Sequence, residues 1–326
     1  ISLAGEKTNE TTFERLAGLQ TVERLDLPKV ELSAKSASRL ASLPRLSFLN
    51  LPKANLPFKS IQQIVRSQSL QQFRCAESSI DDRSLERLAT LPNLTAIDLS
   101  DCPKISDLGI SYISDCPRLK FLKLAGELID DDTLNAIRNI KSLRILGLNN
   151  AAISDAGIEQ LGRLNLSGIQ LFRSPIGDSS VRVLSRMSNL TVANLRGTKI
   201  SDKAIKYLTS CRKLKTLEIS ECDEPGITDR GCKELAKIQS LESINLWLSK
   251  ITDAGLEPLV SLPELTTLNL DNTSITDEGT KVIARMKKLT WLHLGKTKIS
   301  DACVPTLKTF TNLTFLDITN TSLSTK

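Results

Sequence analysis

Aromatic side chains are scarce in this chain, at 4% of 326 residues, and histidine occurs once, as His293. Any interior must therefore be aliphatic, and a histidine-centred hydrolase triad has a single residue to draw on. Long apolar runs are missing too. No window approaches the roughly 18 unbroken apolar residues of a membrane-spanning helix, so no membrane insertion is expected. The stretch from Ile1 to Glu10 lacks the basic-then-apolar order of a secretory signal. Runs of one charge are also absent. The net charge of +6 is spread along the chain, and the nearest thing to a cluster is Arg285, Lys287 and Lys288, with Lys296 and Lys298 close by. Nucleic-acid binders gather Lys and Arg on one face, so no nucleic-acid partner is expected. The seven cysteines include no closely spaced pair. A zinc site needs Cys and His converging at short spacing, so no metal and no cofactor are expected. No glycine-rich phosphate loop is visible. With neither a triad nor a phosphate cradle, the chain reads as a non-enzyme.

What the sequence has is a cadence. Leu46, Leu49 and Leu51 open a unit that recurs at Leu70 and Leu94, a step of 24 residues each time. The register runs on through Leu119, Leu143, Leu166, Leu190, Leu214, Leu241, Leu265, Leu289 and Leu313, with an earlier copy starting at Val22. The step after Leu214 is 27 residues, and its extra stretch, Glu221 to Gly226, is expected to form a loop. Within each unit the periodicity changes. Alternation such as Leu268-Asn269-Leu270 fits a short strand with one buried face, and spacing such as Leu256, Leu259, Val260, Leu262 fits a helix. Between the two lies Ile-(Ser/Thr)-Asp, as in Ile105-Ser106-Asp107 and Ile275-Thr276-Asp277. Ser, Thr and Asp accept hydrogen bonds from the free N–H groups that open a helix. Aspartate there also suits the positive end of the helix dipole. These aspartates are therefore read as helix caps rather than as catalytic or calcium-binding groups.

One strand and one helix per unit bury their apolar faces only by stacking on their neighbours. Strands repeat at about 4.8 Å and packed helices at roughly 8–10 Å. The stack should bend with its strands inside. The expected fold is an α/β solenoid, a horseshoe with a concave parallel sheet and outer helices. It is read as one domain over 1–326: a partial copy at 1–21, twelve repeats over 22–312, and a truncated copy at 313–326. The second copy departs from the pattern, with Leu56-Pro57-Phe58 in place of Ile-Ser-Asp.

The stretch Cys102-Pro103-Lys104-Ile105-Ser106-Asp107-Leu108-Gly109-Ile110, followed by Cys116-Pro117-Arg118-Leu119, resembles the leucine-rich-repeat superfamily, and within it the cysteine-containing subclass known from F-box adaptor proteins and from bacteria. Cys222 repeats the position of Cys102, and Cys211 that of Cys116; other copies use Thr198, Thr273 or Thr297 there, as in the bacterial variant. The resemblance covers nearly the whole chain and implies protein–protein recognition. The cysteines then read as small buried hydrophobes. Unpaired buried thiols suit a reducing intracellular compartment.

On such a stack, a partner is expected to meet the spacers between the buried strand leucines. Both tryptophans fall among them, and interface energy concentrates in Trp, Tyr and Arg. The candidate patch is Asn245, Trp247, Asn269, Asp271, Trp291, His293 and Phe315, in which the indoles bracket a polar ladder of Asn245, Asn269 and His293. The rival reading of Trp291 and Phe315 is a shield for the open end of the sheet. A protein partner is expected. A glycan or cell-envelope polymer stacked on the indoles is the alternative, and a structural spacer that self-associates end to end is a third.

Overall fold

A computed structural model describes residues 1–2 and 10–324. The chain packs as two compact units, residues 1–153 and 154–326.

The first unit carries strands β1 (Arg24–Asp26), β2 (Phe48–Asn50), β3 (Gln72–Arg74), β4 (Ala96–Asp98), β5 (Phe121–Ala125) and β6 (Ile145–Asn149). They alternate with helices α1 (Glu10–Ala17), α2 (Ala34–Ala41), α3 (Phe58–Ile64), α4 (Asp82–Leu88), α5 (Asp107–Ile113) and α6 (Asp131–Ile137). Each strand pairs in parallel with the next, in register, so that Leu25, Leu49, Phe73, Ile97, Leu122 and Leu146 form one row. That row is fully buried, and the helices pack each on the next. Ser2 bridges to Asp26 in parallel fashion, as a strand tail at the start of the chain should. The rest of that tail, residues 3–5, lies outside the described residues.

The second unit repeats the scheme with β7 (Gly168–Gln170), β8 (Val192–Asn194), β9 (Thr216–Glu218), β10 (Ser243–Asn245), β11 (Thr267–Asn269), β12 (Trp291–His293) and β13 (Phe315–Asp317). Its helices are α7 (Asp155–Gln160), α8 (Asp178–Leu184), α9 (Asp202–Leu208), α10 (Asp229–Leu235), α11 (Asp253–Leu259), α12 (Asp277–Ile283) and the short α13 (Val304–Leu307). The pairing is again parallel and in register. The buried row is Ile169, Ala193, Leu217, Ile244, Leu268 and Leu292, and it fades at Leu316, which is half-buried. Fully burying a Leu or Ile side chain stabilises by about 1.5–3 kcal/mol. With a row of them on every strand, the aliphatic wall is the main source of stability.

Three devices turn each strand into the next helix. First, one residue beyond each strand takes a left-handed conformation. Lys29, Lys53, Glu77, Asp101, Asn150, Arg173, Glu221, Leu248, Asn272, Lys296 and Asn320 have φ of 52–59°, while Gly126 and Gly197 fill the two remaining places. Such a bend costs a non-glycine residue roughly 1 kcal/mol or more, so the packing on either side must hold it.

Second, the Ser or Thr of Ile-(Ser/Thr)-Asp caps its own helix, except at Ser106, which makes no side-chain cap hydrogen bond. Ser154, Ser201, Thr228, Thr252 and Thr276 each accept an N–H from the residue two ahead. The aspartate does something else. It is the first helical residue, and its carboxylate reaches the cap of the following repeat. Asp253 accepts from the N–H of Thr276 at 2.9 Å and from its hydroxyl at 2.5 Å. Asp82 does the same to Ser106, Asp178 to Ser201, Asp202 to Thr228, Asp229 to Thr252 and Asp277 to Ser300. The expectation that these aspartates cap their own helices is thus corrected: the serine or threonine caps, and the aspartate ties one repeat to the next.

Third, the glycine two residues after the aspartate leaves room for that tie. A Cβ on Gly109, Gly231, Gly255 or Gly279 would overlap the incoming carboxylate of Asp82, Asp202, Asp229 or Asp253. Where the position is not glycine it can be a hydroxyl that joins the tie, as Ser180 does with Asp155 and Thr133 with Asp107.

Candidate functional site

The spacers on the strands form the solvent side of each sheet. In the second unit, one registered row runs Gln170, Asn194, Glu218, Asn245, Asn269, His293, Asp317. Several of these polar side chains also finish their own strand. Asn194, Glu218, Asn245, Asn269 and Asp317 each accept the N–H two residues ahead. The row is a polar ladder, but much of its bonding capacity is turned inward on the turns.

Trp291, on β12, stacks against Phe315 on β13, with ring centroids 5.1 Å apart and planes at 16°. His293 lies under both, its centroid 4.0 Å from Trp291 and 5.0 Å from Phe315. Trp291 is half-buried, and Phe315 remains 42% exposed. The imidazole Nδ1 stands 3.3 Å from Asp271 Oδ2 and 3.1 Å from Asp317 Oδ2. The other oxygen of each carboxylate is held by backbone. Asp271 Oδ1 accepts Gly295 N–H at 2.6 Å, and Asp317 Oδ1 accepts Thr319 N–H at 2.9 Å. The Thr319 N–H, aided by the Thr319 hydroxyl and by His293, holds the Asp317 carboxyl below the ordinary aspartate range against the opposing effect of burial.

Trp247 lies in a different group. Its ring is faced by the guanidinium of Arg196 at 4.7 Å. The same guanidinium faces Phe172 at 5.0 Å and donates through Nε to Glu221 at 2.6 Å. Leu248, next to Trp247 in the chain, is 46% exposed. Asn245 donates to Glu218 at 2.7 Å, and Asn269 accepts from Asp271 N–H at 2.9 Å. The patch read from the sequence is therefore two clusters. One joins Trp291, His293, Phe315 and Asp271, and adds Asp317. The other is built on Trp247 and adds Arg196, Phe172 and Glu221. Asn245 and Asn269 sit in the row that links them. Asp317, Phe172 and Arg196 were visible in the strand register, whereas Glu221 opens the inserted stretch and falls outside it; what was missing was weight on arginine and carboxylate neighbours.

The first unit treats its aromatics differently. Phe48 is almost fully buried, with Arg24 over its ring at 3.8 Å and Arg74 at 5.1 Å. Arg74 also faces Phe121 at 5.6 Å.

The cysteines are packed hydrophobes. Burial pushes the thiols of Cys116, Cys211 and Cys222 up to about 11 and raises Cys75 and Cys232 as well. Neutral thiols of this kind are poor nucleophiles and poor metal ligands.

Parallel strands in strict chain order, one helix per strand and a left-handed turn in every repeat define a leucine-rich-repeat solenoid. The family pattern described as a leucine-rich repeat region matches residues 67–326, and the chain belongs to that family. Curated relatives include the Antagonist of mitotic exit network protein 1 of Saccharomyces cerevisiae, 30% identical over 138 residues, covering 38% of this chain and 25% of the relative. The protein of the same name from Eremothecium gossypii is 27% identical over 181 residues, covering 51% and 44%. The matches thus span less than half the length of these relatives. Among solved structures, an internalin from Listeria monocytogenes superposes with a TM-score of 0.66 at 22% identity, covering 93% of this chain and 88% of the internalin. A leucine-rich-repeat protein from Leptospira interrogans gives 0.56 at 20% identity, covering 100% and 84%. At these identities the likeness is one of fold.

Among the described residues, no helix is long and apolar enough to cross a membrane.

Proposed function

We propose that the chain is a protein-recognition module and that the solvent face of the sheet in residues 154–324 receives its partner. One observation carries this reading. In a chain with two tryptophans and eight phenylalanines, both tryptophans and Phe315 lie on that face, and Phe315 is 42% exposed. Exposing aromatic area to water is unfavourable by roughly 25 cal/mol per Å², and contiguous exposed apolar surface marks interaction sites. Repeat solenoids use their extended sheet faces for binding, and aromatic and arginine anchors dominate interface energy. Trp247 with Arg196 supplies one anchor, and Trp291 with Phe315 the other. The polar row between them, including Asn245, Asn269 and Asp271, supplies directional contacts at the rim.

A photo-crosslinking amino acid at position 247 or 315, introduced in cells that make the protein, should trap a discrete protein species. The same group at position 233 or 281, on the helices, should not. Trapping only from the helical positions would overturn the reading. A polysaccharide recovered in place of a protein would favour the glycan alternative.

A further inference from the structure

We propose that Asp271, His293 and Asp317 form a binding site for a divalent transition-metal ion of the zinc type. The three ligand atoms, two carboxylate oxygens and the imidazole Nδ1, lie within 4.8 Å of one another. The Nδ1–oxygen distances are 3.3 and 3.1 Å. Two donors each about 2.1 Å from one ion are about 3.4 Å apart at the tetrahedral angle and about 3.0 Å apart at a right angle. Both nitrogen–oxygen spacings fall between these, and the two carboxylate oxygens lie within 4.8 Å of each other, so side-chain rotation of the carboxylates can seat an ion.

The support around the donors is also that of a metal site. Each carboxylate has its second oxygen fixed by a backbone N–H, from Gly295 and Thr319, which leaves Oδ2 to face Nδ1. The imidazole packs against both Trp291 and Phe315, at centroid distances of 4.0 and 5.0 Å, which restricts its rotation. Outer groups that fix ligand orientation contribute strongly to affinity. The three side chains are 17–22% exposed, so water or a partner's donor can complete the coordination. An imidazole donor disfavours calcium and magnesium, and two carboxylates without thiolate disfavour copper(I).

Short-spacing rules miss this site because its members are 22 and 24 residues apart; one repeat supplies one ligand, and the parallel register brings them together. The proposal is independent of the recognition role, because the ion binds with no partner present. The competing arrangement for the same geometry is a protonated His293 paired with two carboxylates, and the two differ in a measurable way.

The full chain, stripped with a chelator, is titrated with Zn²⁺ by calorimetry and with Co²⁺ by absorption. The expected result is one equivalent bound at micromolar concentrations, with Co²⁺ ligand-field bands and no thiolate charge-transfer band. His293→Asn and Asp317→Asn should each weaken binding by more than about tenfold. Thermal melts of the metal-free variants establish that they fold, and Asp317→Asn, in the last strand, stands in if His293→Asn does not. No binding to the wild-type chain, full binding retained by both variants, or a thiolate band each overturns the proposal. Paramagnetic Co²⁺ should also quench the fluorescence of Trp291 in a Trp247→Phe background. An unquenched indole despite one bound equivalent places the ion elsewhere and equally overturns it.

Discussion

The early repeats of the first unit and the repeats of the second solve the same stacking problem with different chemistry. From α8 onward, aspartate at the first helical position ties to the Ser or Thr that opens the next helix, without a break as far as Ser300. In the early repeats the aspartate tie is replaced or lost. Ala34 stands where the aspartate would be, and Pro57 opens α3 with no side-chain cap. At α1 a glutamate, Glu10, makes the tie to Ser33, which opens α2, and also accepts from Ser36 and Arg39. The aromatics divide in the same way. In the first unit, Phe48 is buried beneath arginines; in the second, Phe315 keeps much of its surface open. A motif can therefore be a two-repeat device, invisible as such in one copy, and a row of aromatics can be structural in one unit and available in another.

The most severe break of this contrast is at the glycine that admits the carboxylate. Gly279→Val should cost about 3 kcal/mol, since its Cβ overlaps Asp253 and crowds Ile275. At the matching place in α2 and α4, Ser36→Ala and Ser84→Ala should cost only about 1 kcal/mol each, because a Cβ is already housed there. Urea unfolding of the three variants measures the difference.

The aromatic contrast comes next. Phe48→Ala should cost about 3 kcal/mol or somewhat less. Phe315→Ala, removing a ring that is 42% exposed, should cost under about 1 kcal/mol while weakening the partner complex. Equal stability losses at the two positions would erase the distinction between the units.

A smaller effect tests the tie as a pair. Ala34→Asp alone should gain nothing, because Pro57 has neither an N–H nor a hydroxyl to give. Combined with Pro57→Ser it should show a favourable coupling of about 1 kcal/mol in a double-mutant cycle. Additive single effects would mean that aspartate and cap act separately.

The smallest effect is in acid. Asp317 is held below the ordinary aspartate value of 3.8, chiefly by the Thr319 N–H. Its contribution to stability is complete above that value and disappears as pH falls through the lower folded value. Asp317→Asn should flatten the acid limb of stability slightly, since one carboxylate with a single backbone hydrogen bond is involved. An unchanged acid limb would show that the tie to Thr319 contributes nothing.

The repeat itself was legible in the sequence because a period of 24 residues survives every local substitution, and strand and helix alternate within it at distinct spacings. The loop at Glu221–Gly226 and the degenerate second copy were legible for the same reason. The role of the aspartates was not. A cap and an inter-repeat tie demand the same residue at the same place, and only the position of the Ser or Thr on the next repeat separates them. The face carrying Trp247, Trp291 and Phe315 could be named from alternation alone. Its division into two clusters could not, because that depends on where the Arg196 guanidinium and the Asp317 carboxylate swing. The grouping of Asp271, His293 and Asp317 was missed because ligand-spacing rules assume neighbours along the chain, whereas here neighbours are set by register.

The central claim is that the aromatic face of residues 154–324 carries the recognition energy. The direct measurement is the dissociation constant of the crosslinked partner for the wild-type chain and for Trp247→Ala/Trp291→Ala, with both shown to be folded by circular dichroism. Loss of affinity by at least about thirtyfold, the weight of a single anchor residue, is predicted. Unchanged affinity in the folded double variant would contradict the account.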